Sequence, residues 1–348
     1  MTTSQRRPIA LLVSALLAGA ADAATDCDPA EGLAYLCGPV AAEDMVEIPG
    51  THWAIASALN VGAPARLQVL DLRHRRAQPV EWRSGPTSPA RHDPACATPP
   101  DPQRWSTDGL ALRSGTDGQV MLYVANHGDR QAIEVFDVLV DGPGSEPPPL
   151  RWAGCLPLPV GHMANAVHAL PDGGLLVASF HDPRDREAWA RMARGEDTGA
   201  ILEWQPARGW RTLARMPGGN GITASADGDT VYASAWAAAK LVVLSRRSGA
   251  RRDIVLDYLP DNLHMLPDGR LLVAGQRSRV ADIAACTGPQ CPQLWVVERL
   301  DPATGTRHPL LQGSGTTLIN YACGARLVGD QFFVTFRGAP RIGILAPP

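Results

Sequence analysis

Beyond its first two dozen residues, the chain has no run near the roughly 18 apolar residues that a membrane-spanning helix needs, so no transmembrane segment is expected. Its basic residues are scattered and the net charge is only -3, which leaves no basic face for nucleic acid. No C-x-x-C pair suggests zinc, and no G-x-S-x-G suggests a serine nucleophile on a strand-to-helix turn. A composition of 45% hydrophobic and 19% charged residues excludes a disordered chain.

Gly 34 and Pro 31 are spread along the whole length, which suits many short strands joined by turns. A length of 348 residues suggests about two domains, but closed all-β folds reach that size as one unit. The start reads "MTTSQRRPIALLVSALLAGAADAATDC". Arg6 and Arg7 precede an apolar run of 13 residues at 8–20, and "ADA" at 21–23 fits a cleavage site. Residues 1–24 read as a signal peptide and 25–348 as one exported domain, periplasmic or secreted.

Seven cysteines in an exported chain point to disulfides. Cys286 and Cys291 enclose the turn-like "TGPQ" and form the best pair, with Cys27 and Cys37 next. Cys96, Cys155 and Cys323 leave one odd thiol.

One local order returns six times: an apolar segment, a turn, then a strongly apolar strand. The apolar strands are "WAIAS", "LYVAN", "LLVAS", "VYASA", "LLVAG" and "FFVTF", centred on Ile55, Val124, Val177, Ala233, Val273 and Val334. A further β-like run follows each one. Four of the turns carry Asp-Gly, at 117–118, 172–173, 227–228 and 268–269, which favours tight hairpins. The intervals of 40 to 69 residues fall in the propeller range. The expected fold is all-β: a six-bladed β-propeller of antiparallel blades, at least three strands each, around a central channel. One interruption, "HDPRDREAWARMARGEDTG" at 181–199, reads as a short helix in the third unit. Trp189, Met192 and Ala193 would form its apolar face. It is either a surface insertion or a lid over the entrance.

The first strand of a propeller unit lies nearest the axis. Counting back from the anchors finds Glu43, Asn165 and Asp261 each 12 residues before, Asn220 13 before and Asp108 16 before, with Ala322 in the sixth unit. Five units thus place a carboxylate or carboxamide at one end of the inner strand. Single Asn and Asp residues there have an ordinary turn explanation. Five together form an oxygen set suited to Ca²⁺ rather than to zinc or to tightly octahedral Mg²⁺. Gly109, Gly219 and Gly221 flank these positions and would let the backbone bend into the channel.

The chain resembles the paraoxonase/arylesterase family and, more distantly, the gluconolactonase family. The residues that carry the likeness are "AEDMVEI", "VANHGD...IEVFDV", "MANAVHALPDG", "NGITASADGDTVYASAWAAAKLVVL" and "PDNLHMLPDG", in order from about residue 40 to the end. Strictosidine-synthase-like propellers share the turns but need not share the metal. The resemblance implies a six-bladed calcium propeller that hydrolyses lactones or esters. It implies a catalytic Ca²⁺ held by Glu43, Asn165, Asn220, Asp261 and Asn262. A second, structural calcium would use Asp44, the carbonyl of Leu110 and an acid where this chain has Ala166. The paraoxonases also pair two histidines above the metal; here His127 matches the second and Asp108 stands in place of the first.

These residues suggest metal-assisted hydrolysis of a small ester or lactone, with Asp108 as first candidate for the base and His127 as second. Asp108 is alternatively a further calcium ligand. His162, His168 and His264 read as packing or rim residues. The rival function is a non-catalytic ligand- or protein-binding propeller with a structural axial Ca²⁺; a lyase or synthase-like relative is a third. A monomer is expected. Substrate choice would rest on loops such as the Pro-rich 84–105.

Overall fold

The computed structural model describes residues 27–30, 32–38, 42–58, 67–84, 96–115, 118–140, 146–286, 294–316 and 319–346. The expected signal peptide lies outside these residues, as does Cys291, the expected partner of Cys286.

Nearly every described element is a strand in an antiparallel sheet. The second run holds Thr107–Ser114, Val120–Asn126, Ala132–Val138 and Leu150–Pro157, with Trp82–Ser84 parallel at its outer edge. The third holds Ala164–Ala169, Leu175–Ser179, Gly199–Gln205 and Gly209–Met216. The fourth runs Gly219–Ala224, Thr230–Ala235, Lys240–Ser245 and Arg251–Val255. Leu259–Met265, Leu271–Arg277, Leu294–Leu300 and Arg307–Gly313 make the fifth. An eight-stranded sheet supplies two more four-stranded runs, joined at their outer edges by one parallel pair, Cys37 with Arg76. The first of these is Ala42–Glu47, Trp53–Ala58, Gln68–Asp71 and Arg76–Pro79. The other is Ala322–Val328, Gln331–Phe336, Arg341–Leu345 and, from the far end of the chain, Ala34–Cys37.

Each run's first strand touches the first strand of the next run, and the last touches the first, so the inner strands close a ring. Apolar side chains fill the spaces between neighbouring runs. Leu176, Ala178 and Ile201 of the third meet Ile222, Ala233 and Val242 of the fourth, all buried. Full burial of each larger aliphatic side chain is worth about 1.5–3 kcal/mol, so the interfaces between runs hold the ring. Several of the fourth strands are different. "RRDIV" at Arg251–Val255 is mostly exposed, and with no apolar alternation it left no clear mark in the sequence.

Three Asp-Gly pairs form the expected turns, with Gly173, Gly228 and Gly269 at φ of 92°, 72° and 80°. Asn220-Gly221 does not: it lies inside the strand Gly219–Ala224. Gly109 and Gly221 serve close approach rather than bending. A Cβ on Gly109 would sit 2.5 Å from Ala166 Cα, and one on Gly221 would sit 2.5 Å from the Asp261 carbonyl oxygen.

Cys27 pairs with Cys37 as expected, and Cys96 with Cys155 across 59 residues, leaving Cys323 as the free, buried thiol among the described cysteines. No helix among the described residues is long and apolar enough to cross a membrane.

Candidate metal centre

All six inner strands break register with their neighbours at the same place. The shift falls between Ala42 and Met45, Thr107 and Leu110, and Ala164 and Ala166 in the first three runs. It falls between Gly219 and Ile222, Pro260 and Leu263, and Ala322 and Gly324 in the last three. A bulge leaves its extra residue out of the ladder and re-aims the side chain. The residues so released are Glu43-Asp44, Asp108-Gly109, Asn165, Asn220-Gly221, Asp261-Asn262 and, in the sixth, Cys323. The sequence count placed Ala322 at this sixth position. The bulge corrects it by one residue, to Cys323.

Freed backbone groups must find other partners when buried. Hydroxyls of the second strands supply them. Ser234 Oγ donates to the Asp261 carbonyl (2.7 Å), Thr335 Oγ1 to the Glu43 carbonyl (2.8 Å), and Asp44 N donates to Ser57 Oγ (3.0 Å).

Glu43, Asp108, Asn165, Asn220, Asp261 and Cys323 line one cavity of about 160 Å³. Each carboxylate has one oxygen held by the protein. Asn262 Nδ2 donates to Glu43 Oε1 (2.7 Å) and Gln276 Nε2 to Asp261 Oδ2 (2.7 Å). Asp108 Oδ2 accepts from Asn165 Nδ2 (3.2 Å) and lies 3.0 Å from His127 Nε2. The second oxygens have no donor. Glu43 Oε2, Asp108 Oδ1, Asn165 Oδ1, Asn220 Oδ1 and Asp261 Oδ1 are all buried and unpartnered. An unmet buried acceptor costs about 1–3 kcal/mol, so five converging on one cavity fit a cation that accepts oxygen donors. Charge points the same way. Burial, then Asp108 and Asp261, pushes the Glu43 carboxyl well above its usual range. Burial, reinforced by Asp108 and opposed by Gln276, pushes Asp261 up to about 7.

Asp44 faces the other end of the ring. Its Oδ2 accepts from the Leu110 N–H (2.9 Å) and its Oδ1 from the Met45 N–H (2.7 Å), with His264 Nε2 3.2 Å from Oδ1. Burial alone would raise the Asp44 carboxyl, but His264 and Arg326 outweigh it and hold the group below its usual value. Leu110 thus meets Asp44 through its N–H, and Ala166 brings no oxygen from its side chain. A separate cavity of about 350 Å³ opens here, lined by Asp44, Arg326, His168 and His264 among others.

A second ring of side chains stands over the bulges. Three residues beyond the anchors of runs two to six come His127, Phe180, Trp236, Gln276 and Arg337. All but Gln276 line the cavity, as do His181 and Tyr321. Tyr321 directly precedes the sixth bulge with φ 65°, and the Arg337 guanidinium lies 4.9 Å from its ring centre. These positions follow directly from the anchors in the sequence.

The expected insertion helix is short, Ala188–Ala193. Asp182 accepts from Arg184 N and Asp185 from Glu187 N, which holds the preceding residues in turns. Its buried face is Ala188 and Met192, four residues apart; Ala193 is exposed. The helix touches a second one, Val280–Ala284. Trp189, 39% exposed, packs edge-on against Phe180 (5.8 Å) and Trp236 (5.9 Å) at the cavity wall.

No known family profile matches the chain, and no curated protein matches it in sequence. Its fold does match solved structures. A gluconolactonase from Xanthomonas campestris gives a TM-score of 0.55 at 16% identity, over 91% of this chain and 89% of that chain. Regucalcin, a calcium-binding protein from Agrobacterium tumefaciens, gives 0.51 at 14%, over 88% and 90%. A luciferin-regenerating enzyme gives 0.52 at 10%, over 90% and 94%. At these identities the likeness is one of fold. A gluconolactonase and a regucalcin are among these folds, and a paraoxonase-like fold is not shown.

Proposed function

We propose that this chain is a calcium-dependent hydrolase of small lactones or aryl esters, built as a six-bladed propeller over residues 25–348 and exported after loss of residues 1–24. The observation that carries the reading is the set of unpartnered buried oxygens of Glu43, Asn165, Asn220 and Asp261, with that of Asp108 beside them. Glu43, Asn165, Asn220 and Asp261 are the proposed ligands. Asn262, expected as a fifth, turns its Nδ2 toward Glu43 and so orients that carboxylate. The gluconolactonase and the calcium-binding regucalcin among the structural neighbours fit this chemistry. The two disulfides fit an oxidising compartment.

When bound, the cation supplies Lewis-acid polarisation of the carbonyl and positive charge for its developing oxyanion. The chain's own residues do the rest. His127 and Asn165 fix Asp108 Oδ2, so Oδ1 is left to take a proton from the attacking water. The water oxygen bonds to the carbonyl carbon, the ester C–O bond breaks, and the leaving oxygen takes up a proton. His127, 17% exposed, links Asp108 to solvent. Phe180, Trp189 and Trp236 offer an apolar wall to the body of the substrate.

Asp108 in place of the family's first histidine favours a second reading, a non-catalytic binding propeller. A lactone and aryl-ester panel separates the two. Turnover that is lost on chelation and in Asn220→Ala supports the hydrolase. Bound calcium without turnover supports the binding module, and turnover that survives chelation overturns the metal mechanism.

A further inference from the structure

We propose that Cys323 is a sulfur donor to this centre and lets it hold thiophilic divalent ions, such as zinc or cadmium, as well as calcium. The inference rests on the reading of the bulge ring as a metal site. Cys323 holds in the sixth run the place that Glu43, Asp108, Asn165, Asn220 and Asp261 hold in the others, since its strand breaks register around it. Its Sγ and ligand atoms of Glu43 and Asp261 all lie within 4.8 Å of one another. One ion can therefore meet all three. The residue lines the same cavity and is 1% exposed.

A buried cysteine often acts as a small apolar side chain. The surroundings of Cys323 do not fit that role alone. It lies close to Glu43 and Asp261, and each of these keeps one unpartnered buried oxygen. The sulfur's own contact is weak, to the Tyr321 carbonyl at 3.4 Å. It is also the free one among the described cysteines, since two disulfides take Cys27, Cys37, Cys96 and Cys155 and Cys286 is disulfide-bonded too. Calcium takes oxygen ligands, whereas thiolate favours zinc and softer ions. On binding, the sulfur–metal bond forms as the S–H proton passes to buffer, so one proton is released per ion.

The test uses the full mature chain stripped of metal and titrated with cadmium, zinc and calcium separately. The other described cysteines are disulfide-bonded, so a sulfur-to-cadmium charge-transfer band in the ultraviolet reports Cys323. Expected are that band in the wild type, its loss in Cys323→Ser and Cys323→Ala, and a loss of roughly tenfold or more in zinc affinity by calorimetry. Calcium affinity should change little in either variant. Cadmium binding without the band, or zinc binding unchanged in both variants, overturns the sulfur role and leaves an all-oxygen centre standing. If no cation binds the wild type, the metal reading itself falls. Asp261→Asn separates the cases: it should lose calcium and zinc together, where the Cys323 variants lose zinc selectively.

Discussion

His127 Nε2 lies 3.0 Å from Asp108 Oδ2, while Asp108 Oδ1 has no protein partner. One oxygen of the carboxylate is held and the other is free for chemistry. Asp108→Asn should cut kcat/KM for the best substrate by about 10²–10⁴, the usual share of a general base. His127→Gln should cut it less and change the shape of the pH–rate profile. Equal losses in the two variants, with profiles of unchanged shape, would make the pair a structural unit and not a base with its partner.

Asp261 is pushed up to about 7 because its charge is buried near other acids. The folded value lies above the ordinary carboxylate value of about 3.9. Its stabilising contribution in metal-free protein is therefore full below about pH 4 and lost as pH rises through 7. Asp261→Asn should then raise Tm at pH 8 in chelator, where it removes a repelled charge. With excess cation it should lower Tm, because a ligand is gone and binding no longer stabilises the fold. Melting curves in the two buffers check this, and a shift of the same sign in both rejects the cation centre as the source of the effect.

Trp189 is 39% exposed yet packs edge-on against Trp236 and Phe180. Such aromatic pairs are worth about 0.5–1.5 kcal/mol. Trp189→Ala should raise KM for aryl or long-chain substrates by a few-fold to roughly tenfold and leave that of small polar lactones near its original value. A uniform loss across the panel would assign the helix a structural role only.

His168 sits at the opposite end of the ring, where burial first, then Arg326, His264 and Arg113, press it from 6.5 down to about 4. The folded value is below the unfolded one, so its neutral form contributes stability that is full above pH 6.5 and lost as pH falls toward 4. The most it contributes is about 3 kcal/mol. Urea unfolding at pH 7 and pH 4.5 should show a smaller acid loss in His168→Gln than in the wild type. Parallel losses would place the acid sensitivity on other groups.

The repeat and five of the inner-strand positions were legible because a strongly apolar second strand anchors each unit. Asn220 could be counted from Ala233 even though its Asn-Gly pair mimics a hairpin turn. Cys323 escaped because the sixth unit is shorter by one and a thiol does not match a search for oxygens. Arg337 and Trp236 escaped although the same anchors point to them. The fourth strands Arg76–Pro79, Gly209–Met216, Arg251–Val255 and Arg307–Gly313 are exposed over much of their length, so no alternation marks them. The glycines were found, but close strand approach at Gly109 and Gly221 is a property of neighbouring runs and cannot be read within one. Cys96 and Cys155 likewise needed the second run's sheet to bring them together.

The last run borrows its outer strand, Ala34–Cys37, from the opposite end of the chain, where it pairs with Arg341–Leu345. The inner ring closes through Ala42–Glu47 and Ala322–Val328, but the last run lacks its outer strand until Arg341–Leu345 meets Ala34–Cys37. Ala34–Cys37 must wait, with one edge bare, until its partner emerges, and the Cys27–Cys37 bond ties the preceding residues to the strand's end. Contacts this distant in sequence also fold slowly. A chain interrupted before Arg341 leaves Phe332, Phe333 and Val334 without their strand partner, a bare apolar edge. The seam of the molecule is thus stitched from two segments far apart in the sequence, and its stability depends on both.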